Sequence, residues 1–384
     1  MLNAGSSSIK FAMYEPGADG ALLLRGQVER IGQAPRLEAK NATGEILAER
    51  SWTDGKLDHE AATAEIIALR RQTLSDRPVL AVGHRVVHGG MEYSAPVLIN
   101  ERVLAKLAEL VPLAPLHQPH NLAPIRAIDR AVPDLPQVAC FDTAFHRSQP
   151  ALAQAFALPR ELTAAGVRRY GFHGLSYDYI VHRLAETEPA LARARLVIAH
   201  LGNGASLCAV RDGKSLASTM GFTALDGLMM GTRAGALDAG VLLYLMQERG
   251  LDAAAIEDVL YRRSGLLGVS GIASDMRTLR QSEAPEAAEA IALFVYRIVR
   301  EIGSMVAALG GIDALIFTAG IGEHDVATRA EVVAGCGWLG TALDEVRNGS
   351  GNGRISTDAS RVSAWVVPTD EERMISRYVS AFVT

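Results

Sequence analysis

The sequence predicts a two-domain α/β protein built on a duplicated plan, and three observations predict it. First, 384 residues exceed what one ordinary core organises, and 49% apolar with 21% charged residues suits a globular, enzyme-sized chain. Second, one order of elements occurs twice, roughly 200 positions apart: a loop of small polar residues, a strand, a turn and a second strand. Third, apolar runs at 137–141, 195–201 and 314–318 end in polar or glycine-bearing segments, where α/β folds place ligand groups.

Taken in order, the chain opens on Asn3-Ala-Gly-Ser-Ser-Ser-Ile-Lys10, three hydroxyls behind a glycine and a lysine beyond them. Small residues admit a close ligand and serines donate to anionic oxygens. Only Met1 and Leu2 remain for a strand before Asn3, which is then very short unless the chain begins late. Strands follow at 9–14, 21–31 and 36–40 around the turn 15–20, then a helix at 59–71 and a short buried strand at 79–82. A helix capped by Asn100 spans 100–110. Residues 111–121 hold so many prolines that they read as a rigid loop, with a helix at 121–131 after them.

The second half repeats the opening. A helix at 177–185 precedes the strand 195–201, the loop Gly202-Asn-Gly-Ala-Ser206, the strand 207–211, the turn Asp212-Gly213 and the strand 214–219. Helices follow at 237–249 and 285–309, the latter with Ala288, Ile291, Val295, Ile298, Ile302 and Met305 on one apolar face. A glycine turn at 319–323 caps the strand 314–318, a flexible surface loop spans 349–353, and a last strand at 362–367 precedes a C-terminal helix.

A net charge of −5 provides no basic field for nucleic acid. No apolar run approaches the roughly 20 residues of a membrane span, and no signal segment opens the sequence. Cys140, Cys208 and Cys336 lie far apart without metal spacing, which fits a reduced, cytoplasmic setting.

None of the glycine loops completes a Walker or a dinucleotide pattern, since Gly202-Asn-Gly204 and Gly320-Ile-Gly322 both lack a third glycine. Paired strand–loop–strand units facing one another are the design of the actin-like ATPase superfamily. Nine motifs in order narrow this. They are Asn3–Lys10, Gly83-His-Arg-Val-Val-His-Gly-Gly90, Phe141-Asp-Thr-Ala-Phe-His146, Gly171-Phe-His-Gly174 and His200-Leu-Gly-Asn-Gly204. Met230-Gly-Thr-Arg233, Ser274-Asp-Met-Arg277, Thr318-Ala-Gly-Ile-Gly-Glu323 and Pro368-Thr-Asp-Glu-Glu372 complete the series. On these the chain resembles the acetokinase family of short-chain acyl kinases over essentially its full length.

The resemblance implies a duplicated actin-like (ribonuclease H-like) fold of two domains, 1–143 plus 373–384 on the acyl and phosphate side and 144–372 on the nucleotide side, with a central cleft. It implies reversible transfer of the γ-phosphoryl group of ATP to acetate, with magnesium (or manganese) as the metal and a homodimer as the assembly. Carried over, Arg85 and Arg233 bind the carboxylate and the moving phosphoryl group, and His173 stabilises the transition state. Asn3 and Glu371 place the metal. Val87, Leu116, Phe172, Ala224 and His117 surround the acceptor. Ser6, Ser8, Lys10, His200, Leu201, Gly202, Asn203, Gly204, Asp275, Met276, Arg277, Gly320, Ile321, Gly322, Glu323 and His324 hold the nucleotide and its phosphates.

The resemblance also places Asp142 among the catalytic residues. Unperturbed carboxylates titrate near about 4, so acetate has no proton to lose at neutral pH, and Asp142 is expected to orient an arginine or a metal-bound water. His84 and His146 read as structural, His88 and His120 as capping or packing residues, and Met229-Met230 as core. Tyr177 stands where the family commonly has a second histidine, Ala234 and Ala236 replace a usual serine and acid, and Ala224 replaces a frequent proline. The small Ala224 keeps propionate or butyrate in view as acceptor. An inactive or regulatory ATP-binding module is the reading of a different class.

Overall fold

In the computed structural model, which describes residues 1–53 and 57–383, the alternation of apolar and polar residues in Ile9-Lys-Phe-Ala-Met-Tyr14 makes a strand with Ile9 and Phe11 buried and Lys10 exposed. The chain forms two compact units, Met1–Phe145 with Asp370–Thr384, and His146–Thr369.

The first unit carries an eight-stranded sheet. Its strands are β1 (Leu2–Ala4), β2 (Ile9–Tyr14), β3 (Leu22–Glu29), β4 (Arg36–Asn41), β5 (Ile46–Ser51), β6 (Val82–Val86), β7 (Val97–Leu98) and β8 (Gln137–Phe141). They lie in the order β5-β4-β3-β2-β1-β6-β8-β7. β1 pairs antiparallel with β2 and parallel with β6, and β6 runs parallel to β8. Helix His59–Thr73, capped by Asp58 accepting from the Ala61 amide, buries Ala62, Ile66 and Leu69 in a core with Ile9, Leu24, Leu37 and Ile128. Helix Glu371–Ser380 packs on β6, where Gly83 leaves no room for a Cβ beneath Ile375 and Val379.

The second unit carries β9 (Leu196–Leu201), β10 (Ala205–Arg211), β11 (Lys214–Ser218), β12 (Ala314–Thr318), β13 (Gly353–Arg354) and β14 (Ser363–Val366), in the order β11-β10-β9-β12-β14-β13. Here β9 pairs antiparallel with β10 and parallel with β12, and β12 runs parallel to β14. The turn between β10 and β11 puts Asp212 and Gly213 at positive φ, as a tight hairpin requires. Strand for strand this repeats β3-β2-β1-β6-β8-β7, direction included, so the duplication expected from the order of elements is a duplication of topology.

Several expectations need correction. The strand placed at 79–82 lies at Val82–Val86, because its register is set by parallel pairing with Gln137–Phe141, and Val79 and Leu80 behind Pro78 are exposed. Asn3 and Ala4 belong to β1 itself, so the opening loop shrinks to the turn in which the Gly5 amide donates to the Ser8 carbonyl. The proline-rich stretch is not a loop throughout. Pro112 enters a 3-10 turn at Val111–Leu113, and Pro119 sits in the first turn of helix Gln118–Ala131, where a missing N–H costs nothing.

Helix Gly174–Thr187 begins three residues before the expected 177. Helix Pro285–Leu309 has the expected ends, but its buried face is Ala287, Ala290, Ile291, Phe294, Ile298, Ile302, Met305 and Leu309; Ala288 is exposed and Val295 half-buried. Phe294, not Val295, supplies the bulk at that turn. Residues 319–323 form helix Ala319–His324 instead of a turn, and 349–353 holds the end of helix Glu345–Ser350 and all but the last residue of β13. Strand β5 and helices Ala253–Arg262 and Gly265–Ser270 were not anticipated. No helix among the described residues is long and apolar enough to cross a membrane.

Candidate active site

In the first unit, three parts of the sequence meet on Arg85. β6 holds its backbone, and its guanidinium donates through Nε to both oxygens of Asp142, at 3.0 and 3.1 Å, and through Nη2 to Oδ2. Nη1 donates to Asn3 Oδ1 at 3.2 Å. Asp142 is 1% exposed, so this is a buried, fork-shaped ion pair. Burial works against the Arg85 charge, but Asp142, Glu371 and Glu372 outweigh it and hold the guanidinium above its usual value. Asp142 therefore orients an arginine, one of the two roles expected for it.

Asn3 Nδ2 points the other way, donating to Glu371 Oε2 at 3.3 Å and Glu372 Oε1 at 3.5 Å. Burial, then the neighbouring Glu371, push the Glu372 carboxyl above the usual range, with Lys10 pulling against them. The two adjacent carboxylates are hard oxygen donors whose mutual repulsion is the kind a cation relieves, so Glu371 and Glu372 fit magnesium, while Asn3 turns its amide nitrogen to them and its oxygen to Arg85. Glu372 was missed by sequence reasoning, although it adjoins Glu371.

Around this centre the backbone is tied down. Asn121 accepts from the Val87 amide at 2.8 Å and donates to the Ala4 carbonyl, and Gln118 accepts from the His88 amide. Val87 is buried and Leu116 and His117 are half-buried. His120 stacks on His59, whose Nε2 meets the Gly5 carbonyl at 2.7 Å, and His88 Nδ1 accepts from the Gly90 amide. Ser6 and Lys10 are exposed and Ser8 is half-buried.

In the second unit, the convergence is on Gly204. A Cβ at that position would stand 2.7 Å from Arg233 Nη2 and 3.3 Å from His173 Nε2. The glycine thus brings the Gly202–Gly204 backbone against both side chains. His173 caps helix Gly174–Thr187 in the left-handed region, φ 59°, a conformation costing about 1–3 kcal/mol that gathers at functional sites. Its ring stacks on His200 at 4.1 Å, its Nδ1 meets Ser206 Oγ at 2.8 Å, and His200 Nδ1 meets Ser176 Oγ at 2.9 Å.

Arg233 Nη1 donates to the Ala224 carbonyl. With Ala234 and Ala236 in place of a serine and an acid, backbone bonds brace its loop: Met230 to Arg233 at 3.1 Å, Ala234 to Leu260 at 3.1 Å, Gly231 to Asn203 at 3.1 Å. Phe172 is buried next to His173 and Ala224 is half-buried.

The remaining predicted positions are spread over three segments of the second unit. Leu201 is buried in β9, while Asn203 beyond it is exposed. Asp275 caps helix Met276–Gln281 by accepting from Thr278, Met276 is buried and Arg277 is exposed. Gly320 is exposed with open space around it, Ile321 is half-buried, Gly322 buried and His324 exposed. Glu323 accepts from the Ala319 and Thr369 amides, at 2.8 and 3.1 Å, and so braces its own loop.

His84 and His146 are structural, as expected. Burial pushes His84 down to about 3, with Gln137 at 2.8 Å, and His146 down to about 4, with the Phe172 carbonyl at 2.8 Å. Met229 and Met230 are core.

A profile of the Acetokinase family matches residues 1–377. The acetate kinase of Rhodopseudomonas palustris is 54% identical over 386 aligned residues, covering 99% of this chain and 96% of that protein. That of Methylocella silvestris is 50% identical, covering 100% and 97%. Among solved structures, a propionate kinase from Francisella tularensis superposes with a TM-score of 0.91 at 35% identity, over 98% of this chain and 97% of that one. The Porphyromonas gingivalis acetate kinase superposes at 0.88 with 38% identity, over 100% and 98%. Two units of one topology, with these full-length likenesses, define a kinase of the actin-like ATPase fold. The chain belongs to the acetokinase family.

Proposed function

We propose that the chain transfers the γ-phosphoryl group of ATP to acetate, reversibly, giving acetyl phosphate and ADP. The observation that carries this reading is the meeting of Arg233 and His173 at Gly204, which aims two side-chain donors and a backbone loop at one position. Phosphoryl transfer asks for that: charge-stabilising donors and in-line placement, with little covalent chemistry. A carboxylate oxygen of acetate attacks the γ-phosphorus, the bond to the β–γ bridging oxygen breaks, and ADP departs. No proton is moved, which leaves Asp142 to hold Arg85.

Roles divide by unit. Residues 1–143 and 373–384, with Glu371, bind the acceptor through Arg85, Val87, Leu116 and His117, and the metal through Asn3 and Glu371, with Glu372 beside them. Residues 146–369 bind the nucleotide through His200–Gly204, Asp275–Arg277 and Gly320–His324. Ser6, Ser8 and Lys10 are assigned to phosphate, and Phe172 and Ala224 to the acyl group. Magnesium, when bound, neutralises charge on the phosphate oxygens.

Incubation with MgATP and acetate, propionate or butyrate, with acyl phosphate trapped as the hydroxamate, tests the reading. Acetate is expected to give product, and no product from any acid would leave only the ATP-binding module. Propionate is the second reading, favoured by the small Ala224 and by the likeness to a propionate kinase. A pocket of this kind discriminates one methylene by only about 1–3 kcal/mol, so propionate turnover is expected within roughly 200-fold of acetate.

A cytoplasmic homodimer belongs to the same proposal. Helix Ala239–Gln247 buries none of its residues, and Leu237, Val241, Leu243, Tyr244 and Met246 are exposed at or beside it, an apolar face that a second copy would cover. Leu243→Asp is expected to convert a dimer to a monomer by light scattering. A wild-type chain that already runs as a monomer at micromolar concentration would end the dimer proposal.

A further inference from the structure

Tyr177 stands one helical turn after His173, and its amide donates to the His173 carbonyl at 3.1 Å. The side chains meet through a third residue. Tyr177 Oη lies 2.5 Å from Ser206 Oγ, and Ser206 Oγ lies 2.8 Å from His173 Nδ1. Ser206, on β10, is fully buried, and so is Tyr177. The His146 ring meets Tyr177 edge-on at 5.7 Å and helps to hold the phenol in place.

We propose that Tyr177 is a positioning residue that fixes the tautomer of His173 through Ser206. Ser206 has one proton to give. A phenol is a far stronger acid than an aliphatic hydroxyl, so Tyr177 donates to Ser206 Oγ, and the Ser206 proton goes to His173 Nδ1. Burial, with Cys208 adding to it, pushes the Tyr177 phenol well above its usual value despite the Ser206 contact, so the donor keeps its proton. With Nδ1 an acceptor, the neutral imidazole carries its proton on Nε2. That is the nitrogen at Gly204, beside Arg233 Nη2. His173 then presents an N–H, not a lone pair, to the position where a phosphoryl oxygen would sit. A lone pair there would repel it.

This rests on the phosphoryl-transfer reading for its consequence, but not for its first test. Long-range 15N–1H spectra of histidine-labelled protein, without nucleotide, are expected to show His173 as the Nε2–H tautomer. In Tyr177→Phe the Ser206 hydroxyl is free to turn and accept, and a mixture with Nδ1–H is expected. Acyl hydroxamate turnover should then fall about tenfold in kcat with KM for both substrates within about twofold, as expected when a donor rather than a binding contact is lost. Ser206→Ala should move the tautomer signal in the same direction and guards against a folding defect in one variant. A wild-type His173 in the Nδ1–H form, or a Tyr177→Phe spectrum identical to wild type, would overturn the proposal. If wild type makes no acyl phosphate, the function falls while the spectra still decide the relay.

Discussion

Arg233→Ala is expected to lower kcat roughly 10³-fold, about 4 kcal/mol, while leaving the protein folded. The reason is geometric. Nη2 lies against Gly204 together with His173 Nε2, so truncation removes a full charge from the position proposed for the transferring group. Stability should change little, because Arg233 is only half-buried and its loop is held by backbone bonds from Met230 and Ala234 and by Gly265, which has no room for a Cβ against Arg233. Hydroxamate turnover at saturating MgATP and acetate measures the effect. A loss below tenfold removes Arg233 from the catalytic residues.

Arg85→Ala is expected to fail in two ways at once. It strands the buried Asp142 carboxylate, and removing one partner of such a pair costs about 3–5 kcal/mol of stability, measurable by urea unfolding. It also removes the cation proposed to meet the acceptor carboxylate, so kcat/KM for acetate should fall by more than about 10²-fold. The two effects separate in the double variant Arg85→Ala/Asp142→Ala. Stability should largely return, since no unpaired charge remains, while activity stays lost. If the single variant is as stable as wild type, the buried pair is not what anchors this corner of the site. Asp142→Asn alone should weaken acetate binding without removing a limb from the pH profile, because no proton transfer passes through it.

Much of the architecture was legible because burial on both faces leaves a plain mark. Residues 138–141 and 314–317 are continuous apolar runs, and strands Gln137–Phe141 and Ala314–Thr318 fall on them. Helix Pro285–Leu309 announces its ends with a proline in its first turn and Gly310 at φ 69° beyond the last. The elements that escaped are those without such marks. β7 and β13 have two residues each, and β5 has no buried residue. Of helix Gln118–Ala131, expected from 121, only the first turn was hidden, because Pro119 there reads as a breaker although a proline in a first turn costs nothing. At the site, the motifs located the residues but not their partners. Nothing in spacing says that Asp142 would close on Arg85, or that Ser206 would sit between His173 and Tyr177. Those contacts depend on parallel pairing of β6 with β8 and on the register of β9 with β10, which are long-range facts.

The return of Asp370–Thr384 to the first unit sets an order of events for the growing chain. Asn3 leaves the ribosome among the first residues, yet its partner Glu371 lies 368 positions later, and the helix that covers Gly83 on β6 begins there too. The second unit, His146–Thr369, is one unbroken stretch and can complete its sheet while the first still lacks a wall. Synthesis therefore delivers His173 and Arg233 of the second unit before Glu371 and Glu372 of the first. A chain stopped just short of Asp370 would keep every strand of both sheets and lose the acidic corner beside Asn3. The proposed metal corner is complete only when the last helix is made.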